Sequence, residues 1–415
     1  MALASRIRPR RSHAVIAALA TGALWIAACA PAAPSPTAAP AAPKPTAPVA
    51  TSAPAAPAAT AAPAAPAAAT APSPAAAAKP AAAASPTTSR GLQLAKPLAP
   101  LNPPVTVKAR VGSSLTTAPF WYAIEKGYFS ELGITFQQVD IQNSSDVISP
   151  MATGQIDIAG TSFGTGLYNA INRNVNVKAV ADNGQLDKGL AGSAAVVKKG
   201  ARAQYGSDWC ALKGKKVAVS GRTTGLFVTL WKALESCKLT IDDVQLIELG
   251  FPETNVALAS GAVDVGFQVE PFVSRGIEEN ILEIWRPLDE GLEGQQMNVL
   301  LYSDQFQQNK EAGLRFLVAY IAGARDYRRA IEGTGDREEM GRFFAKYLTV
   351  KDPAAYGKMI MMGVDPNGEI DVPTVRESIR VFQQNGTIEA GDVNLNWIDN
   401  TLRNQALEYL GPYKP

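Results

Sequence analysis

The residues of this chain able to hold a solute are hydroxyls, one glycine and one carboxylate, placed where strand-like stretches run into loops. Ser113 and Ser114 follow Val105–Val111, which alternates as a strand does. Thr117 stands two places before Pro119, a residue suited to the first turn of a helix. Ser144 lies in the turn 143–146, after a second strand-like stretch, Ile134–Ile141. Thr161 and Ser162 end a third stretch. Thr223, Thr224 and Gly225 occupy, in a later part of the chain, the place that Ser113 and Ser114 occupy in the earlier part, and Glu270 ends the stretch that starts at Val263. Hydroxyls and backbone N–H groups at a helix start offer donors and a partial positive charge to an anionic head group. The same residue types cap helices everywhere, so both readings stand. Glu270 points the other way. In a cleft it would accept from a ligand with N–H donors and repel an anion, while Arg222 would attract one; its plain alternative is a loop carboxylate in solvent. Phe120, Trp121 and Phe272 either stack on a ring or fill a core.

Other chemistry is excluded by counting. The single histidine, His13, lies in the N-terminal leader. No Ser–His–Asp or Cys–His catalysis and no histidine-ligated zinc is therefore available to a mature protein. Asp157 and Asp264 sit inside separate strands and read as structural. No catalytic residue, metal site or cofactor is expected. Cys210 and Cys237 either pair, as thiols outside the cytoplasm can, or stay as two buried thiols. The charge is near balance. With the four arginines of Met1–Ala28 removed from 39 Lys+Arg, against 37 Asp+Glu, the net charge is −2. Nucleic-acid binding, which needs a basic footprint, is not expected.

The elements that would position these residues occur twice. Residues 151–160 read Met-Ala-Thr-Gly-Gln-Ile-Asp-Ile-Ala-Gly, and residues 258–266 read Leu-Ala-Ser-Gly-Ala-Val-Asp-Val-Gly. In each, a small-residue helix end meets Gly154 or Gly261, where a helix C-cap needs positive φ. A short strand bearing one Asp follows. Trp121 and Trp231, and Leu132 and Leu239, repeat at a similar offset. A period this long marks a duplicated domain. Alternating strands and helices predict mostly parallel sheets. The strand-like stretches Ala191–Val197 and Gln296–Tyr302 flank the second copy and are expected to carry the chain across and back. From Lys310 the pattern is helical, with Leu314, Phe316, Leu317, Tyr320 and Ile321 on one face, expected to pack on the first domain.

The N-terminus reads as an export signal. Arginines precede the apolar run Ala14–Ala28, and Ile26-Ala-Ala-Cys29 looks like a lipoprotein cleavage box that would leave a lipidated Cys29. No later apolar run reaches the ~20 residues of a membrane span. Residues 29–104 are rich in Ala and Pro and read as a tether. The expected division is leader 1–28, tether 29–104, first domain 105–190 with 298–415, and second domain 191–297.

One further pattern carries a family likeness. Glu125-Lys-Gly-Tyr-Phe129 with downstream Gly133-Ile134, Leu212-Lys-Gly-Lys-Lys-Val-Ala-Val219 and the paired Gly–Asp strands resemble the substrate-binding proteins of ABC importers. The group resembled is that for nitrate, sulfonates, taurine and thiamine-pyrimidine precursors. The match runs over about Val105–Tyr302 and more loosely beyond. It implies a type II periplasmic-binding-protein-like α/β fold, with two lobes joined by two crossing strands and closing on one small ligand. It also implies a monomer anchored outside the cytoplasm by lipid alone, delivering solute to a permease and its ATPase. A sensory module of this fold would carry a membrane span and a signalling domain. A related pyrimidine-synthesising enzyme relies on histidine and a cysteine-rich motif, which this sequence lacks.

Overall fold

The computed structural model describes residues 91–112, 114–141, 144–290 and 292–415, with the side chains of 144 and 145 left aside. The leader, Cys29 and the tether up to residue 90 lie outside the described residues.

The first strand, β1 (Val105–Arg110), buries Val107 and Ala109 and leaves Lys108 outside, as its alternation predicts. After it come α1 (Ala118–Glu125), α2 (Tyr128–Glu131), β2 (Ile134–Gln138), α3 (Ile148–Ala152), β3 (Ile158–Ser162), α4 (Thr165–Asn172) and β4 (Val177–Asp182). The chain then crosses to β5 (Ser193–Lys198), β6 (Lys216–Val219), α5 (Gly225–Ser236), β7 (Gln245–Glu248), α6 (Phe251–Ser260), β8 (Val265–Val269), α7 (Phe272–Glu278) and β9 (Leu282–Pro287). It returns through β10 (Asn298–Ser303), α8 (Asp304–Gln308), α9 (Lys310–Glu332), α10 (Arg337–Tyr347), α11 (Val372–Gln384) and α12 (Thr401–Leu410).

Two five-stranded sheets result, ordered β2-β1-β3-β10-β4 and β7-β6-β8-β5-β9. They are the same sheet built twice. In each, the strand after the crossing enters antiparallel between two strands of the receiving lobe: β10 between β3 and β4, and β5 between β8 and β9. The other registers are parallel. The repeated Gly–Asp element explains part of this likeness. Gly154 and Gly261 hold φ of 71° and 77° just past their helices. The Asp157 carboxylate accepts from Lys108 N at 2.8 Å, and that of Asp264 from Lys216 N at 2.8 Å. Each Asp thus ties β3 or β8 to the start of the neighbouring strand, a structural role in both lobes.

Between the sheets the chain passes at 183–192 and 288–297. These passages hold each other through Leu186 N to Gln295 O (3.0 Å) and Met297 N to Gly184 O (3.0 Å). β5 and β10, the stretches expected as the crossings, lie inside the sheets. A third passage, near 360–371, runs alongside: Gln185 N donates to Gly363 O, and Gly192 N to Met361 O, both at 3.0 Å.

The lobes differ in what covers them. On the first, α9 packs across α1, where Gly323 lies so close that a Cβ would meet Pro119 O at 2.3 Å. An aromatic nest of Phe120, Phe129, Phe136, Phe316 and Tyr320 fills this side, and Trp121 stacks on Tyr347. Phe120 and Trp121 are therefore core, and Phe272 packs on Phe251 with the rings tilted by 31°. Residues 91–104, expected to belong to the tether, run along this lobe. Leu92, Leu94, Leu98 and Leu101 pack on its core, and Ala95 N donates to Tyr409 O. On the second lobe, Cys210 and Cys237 are joined, fastening the turn Trp209–Leu212 to the end of α5.

One expectation is corrected here. The chain after Lys310 does not stay on the first lobe. α11 leaves it and lies on α5, pairing Glu377 with Lys232 (2.7 Å) and Arg380 with Glu235 (2.9 Å). Residues 394–399 then return beside β4, where Ala179 N donates to Trp397 O. Phe163, beyond β3, stacks on Trp397, so an apolar core runs from α4 through α11 to α5. A sequence pattern shows that α11 has an apolar face; it does not show which lobe receives it.

Candidate functional site

The expected site residues gather at the carboxyl ends of the parallel strands of both sheets, the usual place for ligands of open α/β sheets. The lobes touch there: Thr165 N, at the start of α4, donates to Thr223 O (3.3 Å), and Phe163 N donates to Met297 O (2.8 Å).

Several expected residues turn out to hold the protein's own groups. Thr117 is buried. Its hydroxyl lies 2.9 Å from Gly112 O and 2.6 Å from Ser114 O and accepts from Trp121 Nε1 at 3.0 Å. It locks the β1–α1 loop. Thr224 is the N-cap of α5, accepting from Phe227 N and donating to Gly221 O. Gly225 opens that helix beneath Met297, whose Cε would lie 3.0 Å from an added Cβ. Glu270 departs furthest from expectation. Its Oε1 accepts from Ser274 Oγ (2.9 Å) and Ile360 N (3.0 Å), and its Oε2 from Ser274 N (3.0 Å). Burial pushes its carboxyl up, against the pull of those donors. Oε1 thus joins the second lobe to the third passage, giving the backbone at Ile360 its acceptor, while Oε2 stays on α7 of its own lobe.

The remaining described residues stand at loop or strand ends. Ser114 is exposed and shares a hydrogen bond with Thr116. Thr223 is exposed beside the lobe contact. Thr161 is buried and Ser162 exposed, both at the end of β3 and facing Val299 and Asn298 across the ladder. Ser144 opens a 3-10 turn, Ser144–Val147. Ser113 lies outside the described residues.

Sequence reasoning missed Arg110. It ends β1, only 6 % exposed, and donates to Ile141 O and Gly160 O, both at 2.9 Å. Burial pulls its pKa down, and Asp140 and Asp146 hold it up. A cation closing an otherwise apolar strand was the available signal. Asn183, at the end of β4, was missed too. It is buried, accepts from Tyr320 Oη (2.9 Å), and its amide lies against Gly160. Arg222 is held at the rim by Glu248 and Asn385.

The loop ends thus bring hydroxyls beside the starts of α4 and α5, while Arg110 and the Thr165 amide are spent on backbone oxygens of the chain. Hydroxyls and helix starts of this kind suit anionic or polar groups. Among the described residues there is no histidine, and both cysteines are bonded to each other, so no nucleophile–base pair of the usual kind forms. A cavity of about 850 Å³ lies elsewhere, on the first lobe between Tyr122, Lys126, Arg329 and Lys414. No helix of the described residues is long and apolar enough to cross a membrane.

A family model described as NMT1/THI5 like matches residues 115–329. No curated protein matches the chain. Among solved structures, the ligand binding component of an ABC-type import system from Staphylococcus aureus, with zinc bound, is similar. It is 15% identical with a TM-score of 0.58, and the match covers 73% of this chain and 99% of that one. The periplasmic aliphatic sulphonate binding protein from Escherichia coli is 15% identical with a TM-score of 0.53, covering 69% and 94%. The periplasmic nitrate-binding protein from Synechocystis is 15% identical with a TM-score of 0.55, covering 74% and 89%. At these identities the likeness is one of fold.

Proposed function

Since the chain belongs to the NMT1/THI5-like family, we propose that it is the extracytoplasmic solute-binding component of an ABC importer. It captures one small organic or inorganic anion between its lobes and hands it to a membrane permease without transforming it. The observation that carries this reading is the doubled sheet with exchanged strands. Two like lobes meet at their loop ends, where Thr165 N donates to Thr223 O beside the starts of α4 and α5. Closure excludes water, so each N–H to the solute gains strength in the lowered dielectric. The named relatives that bind sulphonate and nitrate agree with an anion. An aminopyrimidine ligand drew its support from Glu270, whose oxygens are already engaged. The anchor at Cys29 and the leader belong to this proposal.

A thermal-shift screen tests it. Nitrate, alkanesulfonates, taurine and aminopyrimidines are each added in large excess. A bound solute at about 100 Kd adds about 2.7 kcal/mol to stability and raises Tm. A rise with one of the anions is expected. A rise with aminopyrimidine alone overturns the anion assignment, and no rise with any of them overturns the binding reading for these classes.

A further inference from the structure

Where the three passages meet, one carboxylate gathers them. Asp182, the last residue of β4, is fully buried. Its Oδ1 accepts from Gly184 N on the first passage (2.8 Å) and from Gln296 Nε2 on the second (2.5 Å). Its Oδ2 accepts from Asp365 N on the third (2.8 Å). The Gln296 amide is fixed in that orientation, because its Oε1 accepts from Asp371 N (3.0 Å). We infer that Asp182 is a positioning residue of the hinge: its carboxylate sets the relation between the lobes by holding all three passages.

The chemistry of the surroundings fits a carboxylate that only accepts. All three partners are N–H donors, which an ionised carboxylate satisfies and a protonated one does not, since its O–H would face another donor. No salt bridge joins Asp182 to a cation among the described residues. On the first passage, Asp187 is paired with Arg328. On the second, Asp289 accepts from Gly189 N. On the third stand Asp365, a like charge that disfavours ionisation, and Asp371, which caps α11. From α9, Tyr320 donates to the Asp182 carbonyl, and Arg325 is spent on Pro366 O and Asn367. Burial pushes the Asp182 carboxyl up to about 7, with the three donors pulling it down. A group raised in this way contributes stability at low pH and loses it as pH rises through its folded value. The ionised lock therefore costs global stability while it fixes the hinge.

The consequence for solute affinity rests on the binding reading above, but the test needs no ligand, so a failed ligand screen leaves it standing. Amide hydrogen exchange of the full chain is compared between wild type and Asp182→Asn at one pH. Asparagine keeps one acceptor oxygen and turns an NH2 toward a donor, so protection at Gly184 and Asp365 should fall about tenfold or more, while amides of β1 and β6 keep theirs. Unchanged protection at both amides, or an equal loss in β1 and β6, overturns the inference. Should that variant not fold, Gln296→Ala removes the donor of the second passage and supplies a second reading: a loss of protection at Gly184 is expected, and none overturns the inference.

Discussion

The two lobes share a sheet and differ in how it is secured. In the first, a long helix from the far end of the chain, α9, closes over an aromatic nest and carries the packing. In the second, no helix of that length is present among the described residues, and a disulfide fastens α5 to the turn ahead of β6. What they have in common is local and repeated: the left-handed glycine and the aspartate that ties two strands. What they do not have in common came from chain outside the repeat. A duplicated unit thus supplies two walls, and each wall is stabilised by whatever lies nearest to it.

The comparison can be broken by substitutions measured through urea unfolding. Phe316→Ala removes the centre of the first lobe's nest and should cost about 3–5 kcal/mol. A cost under about 1 kcal/mol would mean that α9 is not what secures this lobe. Replacing Cys210 and Cys237 together by Ser should cost about 2–4 kcal/mol. No change under non-reducing conditions would remove the disulfide from the account. The shared element predicts equality: Asp157→Ala and Asp264→Ala should each cost about 1–3 kcal/mol, and by like amounts. A large inequality would show that the repeat is one of shape and not of energetics. The smallest effect concerns Glu270, whose carboxyl is raised by burial. Its contribution is present below its unfolded value and is lost as pH rises through its folded value. Measured from about pH 4 to about pH 8, stability should shift in favour of Glu270→Gln over wild type as pH rises. A constant difference would mean that the buried junction at Ile360 does not perturb it.

Much of the junction was legible as location and little of it as role. Thr224 and Thr117 sit at the loop ends where strand and turn patterns put them, yet both spend their hydroxyls on backbone and ring partners of the same chain. The capping alternative was visible in the residue types; only coordinates weigh it. Glu270 was read for its charge, and its partner Ile360 is 90 residues away. Arg110 was passed over because its setting depends on Gly160 and Ile141, which β3 and the β2 loop bring to it.

The sequence alone determined what depends on neighbours in the chain. Alternation made the strands and glycine made the left-handed turns, since each needs only a few consecutive residues to be favourable. Tertiary structure decided the rest. Which lobe receives β5, β10 and α11, and which donors surround Asp182, follow from packing segments about a hundred or more residues apart. Burial and the lowered dielectric that comes with it exist only once those segments have met.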